Sequence, residues 1–403
     1  NPKDSKGTAM KHFRCLSMAL LCVTTTISLA DWTHYQGPNY DGISSEKGLS
    51  CKTLTTLWER HVNIGFSGIT VADGRVFTMG NLDDQDFLYA LDEKTGDILW
   101  SHKYAEKRDP NLYEGGPNAT PTIDEGRVYS LSRAGKIFCL NASDGVVIWE
   151  SSASKFDSKA PSWGFSSSAT IVGDAVIFNV GAAGLALHKE TGAEIWASRG
   201  DPAGYSPAIP YVFQKKSLLM LVAGKAIHAL DAADGKIQWS IPFEVSYDVN
   251  AASPLLFGQR VFVSGGYGKG GGVYDFSSGK GVEVWFEKHL KTQFSTGIML
   301  DGYVYGVDGN SNQRAKLSCV DLATGELKWK LPSKFGSVRY ADEKLFFLED
   351  KGDLVVASIS PEGLKEITRK TLFSDKCWTA PTIANGKLFA RSANGSMACV
   401  DLR

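Results

Sequence analysis

The sequence predicts an all-β fold, an eight-bladed β-propeller built from four-stranded antiparallel blades. The first observation is a repeated element of a small residue, Asp or Asn, Gly and Trp, as in YALDEKTGDILW at 89–100. Six copies end in a tryptophan, with 43 to 49 residues between successive tryptophans. The second observation is a tight turn between two apolar runs upstream of each copy, as in PTIDEGRVY at 121–129. A β-rich period in the forties with two hairpins per repeat is typical of one propeller blade.

Each residue type of the repeat has a physical role in such a blade. In the copy at 89–100, Asp92 is expected to cap backbone N–H groups of a tight turn, and Gly96 to take a positive φ angle. Trp100 then lies on the next strand, where a large flat side chain fills the wedge between neighbouring blades. The predicted structural docking tryptophans are Trp58, Trp100, Trp149, Trp196, Trp239, Trp285 and Trp329. A degenerate seventh copy, VASISPEGLKEI at 356–367, has Ile367 in place of the tryptophan.

The two ends of the repeat region complete one another. The C-terminal MACVDLR stops at the Asp of the element, whereas LTTLWERHV near the other end supplies a Trp strand with no turn before it. We therefore expect the N-terminal strand to complete the C-terminal blade, which closes the ring and leaves no open sheet edge around it. This predicts a single propeller domain at 57–403, preceded by a lead-in segment at 31–56.

The repeat also carries a family resemblance. The element A-x-D-x-x-T-G-x-x-x-W at 90–100 resembles the tryptophan-docking motif of the pyrroloquinoline quinone (PQQ) repeat family. The lead-in DWTHYQGPNYDGISSEKGL at 31–49 is similar to the start of many secreted bacterial members. The family includes PQQ-dependent alcohol dehydrogenases and BamB-like propellers of the outer-membrane β-barrel assembly machinery. The resemblance therefore implies the eight-bladed fold but does not choose between an enzyme and a scaffold.

The cofactor chemistry of that family has a recognisable residue set. The resemblance to quinoprotein dehydrogenases would imply adjacent cysteines under the quinone, with Glu, Asn and Asp around a calcium ion. No two cysteines are adjacent in this chain, and no catalytic residue transfers by motif. We therefore expect no catalytic, cofactor-binding or metal-binding residues, with PQQ and calcium as the alternative. Two acidic runs, at 81–86 and 308–312, have oxygen ligands at a spacing that calcium uses, and are interpreted as solvated loop tips.

The N-terminus indicates export. Residues 1–9 are interpreted as upstream read-through and residues 10–30 as a signal peptide, with a basic start, an apolar stretch at 16–29 and a small-x-small cleavage site at 28–30. The expected location is periplasmic or extracellular, and one form of this hypothesis places the protein in association with the cell envelope. The alternative to a cleaved signal peptide is a retained N-terminal anchor. We expect a monomer without a transmembrane span. The 43 basic and 44 acidic side chains give no electrostatic reason to expect a nucleic-acid partner.

Cys15 and Cys22 lie in the predicted signal peptide, and the five cysteines of the predicted mature chain divide into two groups. Cys139, Cys319 and Cys399 occupy the small first position of the repeat, where other copies have alanine, so they are predicted to be buried free thiols. Cys51 and Cys377 lie outside that position, and the sequence leaves open whether they form a disulfide.

An alignment of the innermost strands predicts a set of side chains at the mouth of the central channel. The aligned position lies three residues before Pro121 and its equivalents in the other blades. Phe165 and Tyr205 lie one residue to either side of it. The predicted set is Phe66, Asn118, Phe165, Tyr205, Phe294, Phe335 and Trp378. One interpretation is that these side chains plug the channel as core, and the other is a stacking site for a peptide, sugar or flat ligand. The connections on this face vary in length, whereas those on the opposite face are tight turns.

Three functions remain open from the sequence. The first is a non-catalytic exported scaffold, BamB-like, with an envelope or secreted protein or polymer as partner. The second is a PQQ-dependent oxidoreductase with an atypical site. The third is a carbohydrate- or polymer-binding propeller that uses the aromatic side chains at the channel mouth.

Overall fold

The computed structural model describes residues 30–200, 202–311 and 313–403. The predicted read-through, the signal peptide up to residue 29, and Cys15 and Cys22 lie outside the described residues. The described chain folds into eight antiparallel sheets of four strands, one of which gains a short fifth strand. The predicted eight-bladed, all-β propeller is therefore confirmed. Within the described ranges the helices are two short 3-10 turns, Ala153–Phe156 and Ser246–Asp248, and no helix is long and apolar enough to cross a membrane.

Two strands precede the first complete blade, β1 at Ile43–Ser44 and β2 at Thr55–His61. Blades 1 to 4 follow in chain order, each from innermost to outermost strand. Blade 1 contains β3 Thr70–Ala72, β4 Arg75–Leu82, β5 Gln85–Asp92 and β6 Ile98–Ala105, and blade 2 contains β7 Thr122–Asp124, β8 Arg127–Leu131, β9 Lys136–Asn141 and β10 Val147–Ser152. Blade 3 contains β11 Thr170–Val172, β12 Ala175–Phe178, β13 Leu185–His188 and β14 Glu194–Ala197. Blade 4 contains β15 Ile209–Phe213, β16 Lys216–Val222, β17 Ala226–Asp231 and β18 Ile237–Pro242.

Blades 5 to 7 repeat the same order, and blade 8 supplies only three strands from the C-terminal part of the chain. Blade 5 contains β19 Leu255–Phe257, β20 Arg260–Gly265, β21 Gly270–Asp275 and β22 Val282–Glu287, and blade 6 contains β23 Ile298–Leu300, β24 Tyr303–Asp308, β25 Ala315–Asp321 and β26 Leu327–Ser333. Blade 7 contains β27 Gly336–Ala341, β28 Lys344–Glu349, β29 Asp353–Ser360 and β30 Gly363–Thr371. Blade 8 contains β31 Thr382–Ala384, β32 Lys387–Arg391 and β33 Ser396–Asp401.

The ring closes between the two ends of the chain. Strand β2 pairs antiparallel with β33 and forms the outermost strand of blade 8, with Trp58 opposite Cys399. Because the first propeller strand and the last belong to one sheet, unfolding either end opens the ring.

The indole of each docking tryptophan contacts the turn of the next blade. Trp100 Nε1 donates to the carbonyl oxygen of Ala142 at 3.1 Å, and a Cβ built on Gly145 would lie 2.5 Å from the Trp100 ring. Equivalent indole hydrogen bonds, of 2.8 to 3.0 Å, are made by Trp58, Trp149, Trp196, Trp285 and Trp329. Trp239 stacks on Phe276, with ring centroids 6.0 Å apart. The turn glycine therefore satisfies two requirements, a positive φ angle and room for an indole.

Blades 7 and 8 meet through a different set of residues. The outermost strand of blade 7 carries Ile367 where other blades have tryptophan, and this side chain is exposed. The lead-in segment supplies the missing contact, since Cys51 N donates to Leu402 O and the Lys370 ammonium donates to Leu54 O. The shared core cluster includes Leu49, Cys51, Leu54, Phe346, Leu348, Leu388 and Ala390. Lead-in residues thus replace the repeat's own joint at this position.

All five cysteines in the described part of the chain are buried free thiols. Cys139, Cys319 and Cys399 occupy core positions on the third strands of their blades, as predicted. Cys51 and Cys377 lie in the same core cluster but are not bonded to each other. The sequence left open whether Cys51 and Cys377 form a disulfide, and in the structure they are two separate thiols.

Candidate functional site

The innermost strands of the eight blades line the central channel, and in the described chain threonine hydroxyls of these strands tie three neighbouring pairs of blades together, 2 with 3, 3 with 4, and 8 with 1. Thr122 Oγ1 donates to Ala169 O at 2.8 Å, which links blade 2 to blade 3. Thr170 Oγ1 donates in the same way to Ala208 O at 2.7 Å, which links blade 3 to blade 4. These buried hydrogen bonds between blades hold the channel wall as a rigid frame.

The lead-in segment crosses the channel on the face that carries the tight turns. Trp32 pairs with Val71 in the innermost strand of blade 1. The segment then reaches the opposite side, where Tyr40 packs in a core cluster with Ile209 of blade 4. It returns to blade 7, where β1 pairs in parallel with Tyr340 and the residue that follows it. The channel is therefore bridged on the turn face.

One buried arginine fastens this bridge. Arg339 of blade 7 donates to the carbonyl oxygen of Tyr35 at 3.2 Å, and its guanidinium lies 5.5 Å from the Trp32 ring and 5.9 Å from the Tyr35 ring. Burial lowers the pKa of Arg339 to about 10, so the group stays charged at neutral pH and a cation–π contact with both rings is retained. Tyr35 in turn contributes to the lining of the channel.

Above Tyr35 the channel widens into a cavity of about 330 Å³ that opens towards the variable loops. Five predicted residues line it: Phe66, Asn118, Tyr205, Phe294 and Trp378. Each lies four positions before the first residue of its innermost strand, and the equivalent positions in blades 3 and 5, Ser166 and Ala251, line the cavity too. A common distance from the strand start gives these side chains a common direction.

Phe165 and Phe335 do not line the cavity, and their assignment to the channel mouth was wrong. Both side chains are fully buried in the core clusters below it. Phe165 lies five positions before its strand, and Phe335 directly precedes β27. Because side chains alternate in extended chain, a shift of one position turns a residue from the channel to the core. Phe335 supports the cavity from beneath, with its ring centroid 5.0 Å from that of Phe294.

Several lining residues come from loops that lie outside the repeat and were missed in the sequence. Tyr113 follows blade 1, Trp163 follows blade 2, and Tyr267 lies in the hairpin between β20 and β21. The Phe66 ring contacts Tyr113 at 5.3 Å and Trp378 at 5.4 Å between centroids. The only signal in the sequence was an aromatic residue within each of these long connections.

Trp163 is held in place through its backbone. Its carbonyl oxygen accepts hydrogen bonds from Arg133 Nη1 at 2.7 Å and from Asn118 Nδ2 at 3.2 Å. Its backbone N–H donates to the Tyr205 hydroxyl at 3.3 Å. Burial raises the pKa of Tyr205 to about 12, so this hydroxyl stays neutral. A loop residue is thereby positioned by side chains from blades 2 and 4.

An ion pair ties the loop after blade 1 to blade 8. The Lys376 ammonium lies 2.8 Å from the Glu114 carboxylate and 4.4 Å from the centre of the Trp378 ring. Both charged side chains are partly buried. This pair fixes the rim of the cavity beside Trp378, and the charge of Lys376 is neutralised by Glu114.

The lining itself carries no charged side chain among the described residues. Two cations beside it are paired, Lys376 with Glu114 and Arg133 with Asp109 at 3.2 Å, and the Arg339 guanidinium lies 5.9 Å from the ring of Tyr35. The polar side chains of the lining carry amide, hydroxyl and indole N–H groups, and the larger part of the lining is apolar and includes several aromatic rings. Such a surface favours neutral ligands over ions.

Two bulky apolar side chains stand exposed on the loop face. Leu112 is 87% exposed with φ of 61°, and Tyr247 is 70% exposed with φ of 64°. Leu112 lies on the loop after blade 1, and Tyr247 lies on the loop after blade 4, where its ring meets Tyr267 at 5.0 Å. A positive φ angle is rare for large residues and costs of the order of 1–3 kcal/mol, which makes these positions candidates for function.

The two acidic runs are not solvated tips as a whole. Asp86 is fully buried and accepts a hydrogen bond from Asn81 at 2.7 Å. Asp308 is buried and forms ion pairs of 2.9 Å with Lys291 and with Lys330. The interpretation as solvated tips was therefore wrong for these two residues, because strand pairing continues further than the sequence indicated. In the described ranges, no group of three or more His, Cys, Asp or Glu side chains is arranged to hold a metal ion.

Comparisons with solved structures agree with the propeller. The crystal structure of BamB from Moraxella catarrhalis matches with a TM-score of 0.64 and 18% identity, and covers 87% of this chain and 98% of the other. Quinohemoprotein alcohol dehydrogenase from Comamonas testosteroni matches with a TM-score of 0.70 and 12% identity, and covers 93% and 80%. At these identities the likeness shows the fold alone.

Comparisons of sequence point to one family. Outer membrane protein assembly factor BamB of Yersinia pestis is 26% identical over 341 residues, which cover 79% of this chain and 70% of the relative. The protein of the same name from Escherichia coli K12 is 27% identical over 303 residues, which cover 71% and 74%. The family model described as outer membrane protein assembly factor BamB matches residues 49–197 and 85–331. Since these two matches together span more than half of the chain, the chain belongs to the family of the outer membrane protein assembly factor BamB.

Proposed function

We propose that the protein is a non-catalytic exported scaffold that holds a protein partner of the cell envelope against its loop face. The observation that carries the proposal is the pair of strained, exposed apolar side chains Leu112 and Tyr247. The relatives are named as outer membrane protein assembly factors, and an envelope partner and location follow for this chain by that likeness.

The two exposed side chains have the properties of anchors for a partner. Interfaces obtain most of their binding energy from a few large apolar or aromatic residues. Leu112 and Tyr247 flank the cavity on loops that follow different blades, so one partner surface can contact both. Burial of these two side chains against a partner would offset the free-energy cost of their strained backbone.

The opposite face offers less to a partner. Its connections are short turns, and the lead-in segment covers the centre by crossing from blade 4 to blade 7. Exposed apolar residues do occur there, such as Val146, which directly precedes β10, and Val212 near the end of β15. Single exposed apolar residues of this kind are normal on protein surfaces.

We infer that the cavity does not take PQQ. PQQ is a planar tricarboxylate, so it needs cationic or metal partners for its three carboxylates. The described lining has no charged side chain, and Lys376 and Arg133 beside it are already paired with carboxylates. No adjacent pair of cysteines is present to sit beneath a quinone. The donor set therefore does not fit this cofactor.

Co-purification of partners with two matched variants tests the proposal. A tagged full-length chain is expressed in a bacterial envelope as the wild type, as the double variant Leu112→Asp with Tyr247→Asp, and as the turn-face double variant Val146→Asp with Val212→Asp. We expect the loop-face variant to lose at least about tenfold of a specific envelope protein, which corresponds to about 1.4 kcal/mol, while the turn-face variant keeps it. Equal retention by both variants, with equal thermal stability, would contradict the proposal.

A further inference from the structure

We infer that the cavity above Tyr35 is a binding site for a neutral saccharide unit. The inference rests on the cavity itself and does not depend on the protein partner proposed above. Three observations carry it: aromatic faces around a closed floor, polar groups in the wall that lack partners, and the absence of charge from the described lining.

The first observation is the arrangement of the rings. Trp378 contacts Phe66 at 5.4 Å and Phe294 at 5.5 Å between centroids, and Tyr113 continues the series with a centroid 6.5 Å from that of Trp378. All four rings line the cavity. The face of a pyranose ring carries C–H groups that pack on aromatic surfaces, so this wall suits a saccharide ring.

The second observation is a set of hydrogen-bonding groups left without a protein partner. The indole Nε1 atoms of Trp163 and Trp378 and the hydroxyl of Ser206 are buried without a hydrogen-bond partner, and all three residues line the cavity. Buried polar groups are nearly always satisfied, so three unsatisfied groups on residues that line one cavity favour a polar ligand over a purely apolar one. A ligand hydroxyl can accept a hydrogen bond from an indole N–H and can also donate one to a serine hydroxyl, so it suits both kinds of group.

The third observation is the charge, which selects among polar ligands. An anion would find Lys376 paired with Glu114, Arg133 paired with Asp109, and the Arg339 guanidinium already in contact with the Trp32 and Tyr35 rings. A cation would meet the Lys376 ammonium, which already occupies the Trp378 ring at 4.4 Å. The free ends of a peptide are charged and meet the same objections. A neutral polyhydroxylated ring meets none of them.

The size and depth of the cavity agree with one or two sugar rings. Its volume of about 330 Å³ lies at the lower end of the range for small-molecule sites, roughly 300–1,000 Å³. Tyr35 of the lead-in segment forms the floor, and the loops with Tyr113 and Trp163 form the entrance. The end or a side branch of a glycan chain fits such a cavity better than the middle of a straight chain.

Binding of uncharged disaccharides to the full chain tests the inference. Cellobiose, maltose and N,N′-diacetylchitobiose are the probes, measured by saturation-transfer NMR and calorimetry, with a blocked peptide, N-acetyl-Phe-Gly-Phe-amide, as the alternative ligand. We expect at least one disaccharide to bind with a Kd of about 1 mM or tighter. No binding of any of the three at about ten times that concentration would overturn the inference. Binding of the peptide alone would make the cavity a peptide site and would overturn it as well.

Two variants that keep a ring but remove a donor place the ligand within the cavity. Trp378→Phe and Trp163→Phe should each weaken disaccharide binding about fivefold or more, because each removes one hydrogen bond from a buried donor. The matched control is Val146→Ser on the turn face, which should bind as the wild type does. Unchanged binding in both phenylalanine variants, at unchanged melting temperature, would place the sugar elsewhere and overturn the inference. If one variant fails to fold, the other still decides.

Discussion

Trp100 of blade 1 lies directly against Gly145 in the turn of blade 2, so that a Cβ at Gly145 would approach the indole to 2.5 Å. The same glycine has φ of 75°. The joint between two blades therefore depends on a residue that is restricted both by its backbone angle and by its neighbour.

Gly145→Ala should destabilise the propeller more than the backbone angle alone requires. Gly74 is the matched control, since its φ is 71° and no atom lies within 4 Å of the position of its Cβ. We expect Gly74→Ala to cost about 1–2 kcal/mol, and Gly145→Ala about 1–3 kcal/mol more, because the indole has to move. Urea unfolding of both variants measures the difference, and equal costs would show that the tryptophan adapts freely.

The blades were predictable because each joint is encoded within one repeat. Asp92, Gly96 and Trp100 lie within nine residues, and the tryptophan joint recurs around the ring except between blades 7 and 8, where Ile367 replaces the tryptophan. The cavity was predictable only in part. The position four residues before each innermost strand gave Phe66 and Trp378, but the strand start in blade 7 differs, so Phe335 lies in the core.

The rest of the site depends on long-range contacts that no local pattern encodes. Trp163 and Tyr113 reach the cavity on irregular loops, whose course is set by partners such as Arg133 and Lys376. Tyr35 reaches it from the other face, on a segment fixed by Arg339, which lies 304 residues away in the chain. Spacing in the sequence does not report such contacts.

Removal of the arginine that fastens the lead-in should loosen the floor of the cavity. Arg339→Ala leaves the Tyr35 carbonyl without its donor and the Trp32 ring without its cation, and we expect a loss of about 2–4 kcal/mol. Trypsin should then cleave after Lys47 at least several times faster than in the wild type. The control is Arg260→Ala, which removes a half-exposed ion pair with Asp275. Unchanged cleavage would show that the lead-in is held without Arg339.

The stability of blade 1 should fall as pH rises towards 8. Burial, together with the charge of Glu106, raises the pKa of Asp86 from 3.8 to about 7. Between these two values the folded protein holds a proton that the unfolded chain has released, so the contribution is complete below about pH 4 and is lost as pH rises through 7. Asp86→Asn should flatten the pH dependence of the unfolding free energy between pH 4 and 8, by at most about 4 kcal/mol.

Unfolding at several pH values measures this effect, with Asp83→Asn as the control. Asp83 is exposed in the turn of the same hairpin, so its removal should leave the slope unchanged. A slope in Asp86→Asn equal to that of the wild type would mean that Asp86 is ionised throughout this range.

The five buried thiols should react only slowly with a thiol reagent in the native state. Burial raises the pKa of Cys139 and Cys399 to about 12 and of Cys51 and Cys319 to about 11, so few thiolates form at pH 8. Dithionitrobenzoate should react slowly with a native chain of residues 31–403, and should report five thiols once the unreduced chain is unfolded. Three thiols would indicate a disulfide between Cys51 and Cys377.

The measurement that tests the central claim most directly is site-specific photo-crosslinking in the bacterial envelope. A photoreactive phenylalanine derivative replaces Leu112, Tyr247, Val146 or Val212, one position at a time, and crosslinked partners are identified by mass spectrometry. The account predicts one shared partner crosslinked from both Leu112 and Tyr247, with little or none from Val146 and Val212 on the turn face. A partner captured from the turn-face positions and absent from Leu112 and Tyr247 would contradict the claim that this propeller binds through its loop face.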